Sequence, residues 1–85
     1  MFNSKANQLQ LSIQIENFIQ NEFGFTSKLL ITTDNYQTKL KLYIYMTERE
    51  KYLFLLQNKL EKIVTYIDTL SPMLSNQIDF IFACS

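Results

Sequence analysis

The stretch "LQLSIQIENF", residues 9–18, carries two periodicities at once. Leu9, Leu11, Ile13 and Ile15 alternate with polar residues, the period of a half-buried strand. Leu11, Ile15, Phe18, Ile19 and then Glu22 or Phe23 recur at spacings of three and four, the stripe of an amphipathic helix. The two readings lead to different folds. The residues just beyond the stretch favour the helix. Gly24 comes directly after Asn21-Glu22-Phe23, and Phe25 comes after Gly24. A glycine just past a helix adopts the left-handed conformation without a Cβ clash, and an apolar residue beyond it packs back on the last turn. A strand needs no such signal. Ser4 or Asn7 supplies a side chain able to cap the helix start. The other reading is a strand over 8–15 with a short helix after it, ending at Phe23.

Downstream, Lys28 to Thr33 forms a β-rich run. A polar connection from Asp34 through about Thr38 separates it from "KLKLYIYM". There Leu40, Leu42, Ile44 and Met46 alternate with Lys39, Lys41, Tyr43 and Tyr45, so the two runs read as a β-hairpin. Thr47 with Glu50 three residues later is a capping box, in which each side chain takes up a backbone donor left free at a helix start. The spacing from there predicts one long helix with the stripe Leu53, Leu56, Leu60, Ile63, Ile67 and Leu70. Phe54 and Val64 widen its apolar arc. Pro72 lacks the amide hydrogen that the ladder needs, so the helix ends or kinks there; alternatively Ser71 caps and Pro72 opens a short extra turn. Ile78, Phe80 and Phe82 alternate with Asp79, Ile81 and Ala83, and predict a closing strand.

The order is therefore αββαβ over a single domain, residues 1–85. It predicts an α+β two-layer sandwich, a three-stranded sheet with helices on one face. The long helix makes the crossover that lets the last strand lie parallel to a hairpin strand. This order is similar to that of KH-like and ring-building secretion domains. With residues 8–15 as an extra strand it is similar to the ferredoxin-like arrangement. The likeness is one of element order alone, and fold does not fix function.

Composition narrows the chemistry. At 85 residues the core is small, and a partner or second copy adds useful stability. The hydrophobic fraction of 47% is too high for a disordered chain. Formal net charge is zero, without the basic excess of a dedicated nucleic-acid binder. No apolar run reaches the length of a membrane span, and no leader pattern is visible, so the expected location is cytoplasmic. Cys84 is the one cysteine; it cannot form an intramolecular disulfide and reads as a bystander. Histidine is absent, which removes the commonest general base and metal ligand. A single glycine cannot build a phosphate-binding loop, and the GXXG of a KH module is missing. None of the eight carboxylates pairs at a telling spacing. Glu48 and Glu50 suit a helix start, Glu61 and Asp68 read as a solvated face, and Asp79 lies where Lys39 or Lys41 can meet it. The sequence thus predicts no enzyme, cofactor, metal or small-molecule substrate.

One surface remains. With helices on one side, the other face of the sheet carries Lys39, Lys41, Tyr43, Tyr45 and Ile81, joined by Leu30 or by Leu29 and Ile31. A partly aromatic open face points to a protein interface, most simply self-association into a homo-oligomer. The alternative is an RNA or single-strand platform, with bases stacking on Tyr43 and Tyr45 beside Lys39 and Lys41. A second, less specific surface is offered by Tyr52, Leu55, Lys59, Lys62 and Tyr66.

Overall fold

A computed structural model describes residues 5–84 of the chain. The ambiguous stretch is helical: α1 spans Lys5–Phe23. Leu11, Ile15 and Ile19 are buried, while Leu9 and Ile13 of the competing period-two pattern are exposed. The extra strand of a ferredoxin-like order is therefore not formed. Gly24 ends the helix as expected, with a positive φ of 78° and its amide donating to the Gln20 carbonyl at 2.9 Å. Asn7 lies inside the helix rather than at its cap, and Ser4 lies outside the described residues.

Strands β1 (Thr26–Asp34) and β2 (Gln37–Tyr45) pair antiparallel. The expected connection of four or five residues is shorter. Asn35 and Tyr36, both at positive φ, make a two-residue turn, whose twist matches that of paired strands. The closing strand β3, Ile78–Ala83, lies parallel to β2, giving the order β1-β2-β3. The α+β sandwich and its three-stranded mixed sheet thus stand.

The predicted long helix is broken. Helix α2 spans Glu48–Leu56 and α3 spans Lys59–Leu70. Between them Asn58 is left-handed, and its amide donates to the Leu55 carbonyl at 3.1 Å. The reason lies in Phe54. Nine residues separate it from Ile63, and at about 100° per residue that places the two on opposite sides of one straight helix. Both are buried, so the chain turns between them. Phe54 sits edge-on to Phe23, Phe25 and Phe82, at centroid distances of 5.3, 5.8 and 6.0 Å. Burial of that ring outweighs the stripe read from spacing, and Leu53 and Leu56, expected inside, are exposed. The capping box forms in full: Thr47 N–H donates to Glu50 Oε1 at 2.8 Å, and Glu50 N–H to Thr47 Oγ1 at 3.1 Å.

After α3, the Ser71-Pro72 segment leads to a left-handed Met73 and a short 3-10 turn, Leu74–Gln77. The extra turn expected at Ser71-Pro72 is formed: the Ser71 carbonyl accepts the Leu74 amide at 3.0 Å across Pro72 and Met73, and the 3-10 turn follows directly. Asp68, expected on a solvated face, holds this turn: Ser75 donates to it through its amide (3.0 Å) and its hydroxyl (2.9 Å). The core lies between sheet and helices, where Leu29, Leu40, Leu42, Ile44 and Ile78 meet Ile15, Ile19, Ile63 and Ile67.

Candidate functional site: the open sheet face

Strand alternation decides what the uncovered face carries. On β2, Leu40, Leu42 and Ile44 are buried, so Lys39, Lys41, Tyr43 and Tyr45 point the other way. The register carries this across the sheet. Thr26, Tyr45 and Ala83 form one row. Lys28, Tyr43 and Ile81 form the next, and Leu30, Lys41 and Asp79 the third. Thr32 opposite Lys39 extends the pattern on two strands. All five residues expected at the site, Lys39, Lys41, Tyr43, Tyr45 and Ile81, therefore share one face.

The register also settles two open points. Leu30, not Leu29 and Ile31, is the β1 contribution, and Asp79 stands opposite Lys41 rather than Lys39. Lys28 joins the face as well, a residue that sequence spacing left unassigned. Its place is fixed once the turn is known, because a two-residue turn sets which β1 residues oppose which on β2. Tyr43, Tyr45 and Ile81 are half-buried by their neighbours, while Lys28, Lys39 and Asp79 are exposed. The centre of the face is thus a flat aromatic and aliphatic strip. Among the described side chains, three lysines and one aspartate surround it.

A second feature was not legible in spacing. A groove of about 590 Å³ runs between α1 and α3, with Phe18, Glu22, Glu61, Lys62 and Tyr66 among its lining residues. The Phe18 and Tyr66 rings stack there, 4.0 Å apart and nearly parallel. Tyr66, expected on an auxiliary outer surface, is thus part of helix packing, whereas Tyr52 and Leu55 are exposed. Glu22 and Glu61 share the groove, and both are exposed. Among the described residues, no group of three or more Asp, Glu or Cys side chains is placed to hold a metal ion, and no helix is long and apolar enough to cross a membrane. Cys84 is exposed beyond β3.

Comparison with protein-family models, with curated proteins and with solved structures finds no match for this chain.

Proposed function

We propose that the protein is a non-enzymatic interaction module whose open sheet face takes a protein partner, most simply the same face of a second copy. The observation that carries this reading is the row Lys28–Tyr43–Ile81 with Tyr45 beside it. Two tyrosines and an aliphatic side chain lie contiguous on a face that none of the described helices covers. Tyrosine contributes large rigid area with a polar tip, and such residues dominate binding energies at protein interfaces. Tyr43→Ala and Tyr45→Ala should each weaken the association by about 2 kcal/mol. The effect should depend little on salt.

The excess of lysine over aspartate on the face favours a second reading, a platform for RNA or single-stranded nucleic acid. That reading predicts affinity falling steeply with salt, because lysine–phosphate contacts release counterions. Fluorescence-anisotropy titration with a single-stranded oligonucleotide at two salt concentrations separates the two. Absence of binding at low salt favours the protein partner, and strong salt-sensitive binding lost in Lys39→Ala and Lys41→Ala favours the nucleic acid.

A further inference from the structure

The sheet has two outer edges, and the fold treats them differently. Helix α1 packs along β1, and the Glu16 carboxylate accepts the Leu29 amide hydrogen at 2.8 Å. An edge amide that would otherwise offer itself to another strand is thereby occupied. Among the described residues, the β3 edge has no counterpart. The Ala83 carbonyl accepts from the Met46 amide, so the backbone groups of Asp79, Ile81 and Ala83 face β2. By alternation, the N–H and C=O groups of Phe80 and Phe82 face outward. The strand has no proline and no bulge to blunt that edge; its one charge, Asp79, lies on the open side, and the Lys51 ammonium sits over the Phe82 ring, 5.9 Å from its centroid. Its two core-side rings, Phe80 and Phe82, are only half-buried, whereas Leu42 and Ile44 beside them on β2 are fully buried. The core is therefore unfinished at this edge.

We infer that β3 pairs antiparallel with β3 of a second copy about a two-fold axis at Ile81, making one continuous six-stranded sheet. The choice of occupant rests on self-complementarity. The Ile78 amide is already donated to the Ser75 carbonyl, which leaves the Ile78 carbonyl at the start of the strand and, along its length, the four outward groups of Phe80 and Phe82 to be matched. In the register centred on Ile81, Phe80 of one copy faces Phe82 of the other, and all four groups are paired. The same register sets the half-buried rings against each other on the core side, as cross-strand aromatic pairs. On the open side Ile81 meets its own copy and Asp79 meets Ala83, so no like charges oppose. A chain of zero net charge adds no long-range repulsion. This inference does not depend on the open face being used, and it leaves both open faces on the same side of the joined sheet.

Amide hydrogen exchange on the full chain, monitored by NMR over a range of protein concentrations, tests it. The Phe80 and Phe82 amides should gain at least tenfold protection as concentration rises, while those of Asp79 and Ile81 are protected throughout. Two variants fix the sign. Ala83→Asp, placed against Asp79 of the other copy, should weaken the dimer at least tenfold, and Ala83→Lys should not. Stacking of two lysine-rich open faces would respond with the opposite sign. Phe80 and Phe82 amides that exchange equally fast at every concentration would overturn the edge pairing. A dimer lost in Tyr43→Ala while those amides stay unprotected would overturn it too, and would leave the face-to-face reading standing.

Discussion

Asp68 and Glu16 are single carboxylates that each hold a backbone segment in place. Glu16 ties α1 to the outer edge of β1 through the Leu29 amide. Asp68 ties α3 to the 3-10 turn, taking both donors of Ser75, which is itself buried. Neither role is visible in spacing, because each pairs residues from different elements. Removal of an acceptor that leaves a buried donor unsatisfied costs about 1–3 kcal/mol. Asp68→Ala should therefore lower the midpoint of urea unfolding, and Asp68→Asn, which keeps one acceptor oxygen, should lower it less. Equal midpoints for wild type and Asp68→Ala would mean the turn does not rely on this contact. Ser27 shows the converse situation. Its hydroxyl is buried on the core side of β1, and no hydrogen-bond partner is present for it among the described residues. Nothing in the structure explains its retention there.

Among the elements, the helix of residues 9–18 and the hairpin were legible in the sequence, and the second half of the chain only partly. Gly24 decided the first helix because a left-handed C-terminus is a local backbone requirement that sequence states directly. Strict alternation in 39–46 decided β2, and with it four of the five residues proposed for the site; the alternation of β3 supplied Ile81. The break between α2 and α3 was hidden because Gln57 and Asn58 are not strong helix breakers. Its cause is tertiary, the pull of Phe54 into a cluster of rings supplied by α1, β3 and the Phe25 that precedes β1. The β1 share of the open face was left ambiguous for a related reason. Only the exact turn length chooses between Leu30 and its neighbours. Asn58 provides a test of the break. In a continuous helix, Asn58→Ala would raise stability, since alanine has the higher helix propensity. In the broken helix Asn58 has φ of 56°, and a Cβ-bearing residue without asparagine's tolerance for that conformation is costly. Asn58→Ala should thus lose about 1 kcal/mol in thermal unfolding monitored by circular dichroism. Asn58→Gly should match or exceed wild type. A stabilised Asn58→Ala would contradict the broken helix.

At the scale of the whole molecule, the proposed interaction role rests on what the helices leave uncovered. The helices are committed to one side, where they close a small core. What they leave is a flat face with two tyrosines at its centre and an edge strand with outward-facing backbone. The two surfaces are compatible: edge pairing joins sheets side by side, and face pairing stacks them. Both together close into a four-copy assembly with two-fold axes, from which the Tyr43→Ala/Tyr45→Ala double variant would fall to half the mass. Light scattering across a size-exclusion peak of the full chain, with absorbance read at 260 and 280 nm, is the sharpest test of the open face. A mass that is a multiple of the monomer, a protein-like absorbance ratio and a lower mass in the tyrosine double variant are the predicted result. A monomer with excess absorbance at 260 nm that salt removes, or an assembly whose mass the two tyrosine substitutions leave unchanged, would contradict the assignment of the open face to a protein partner.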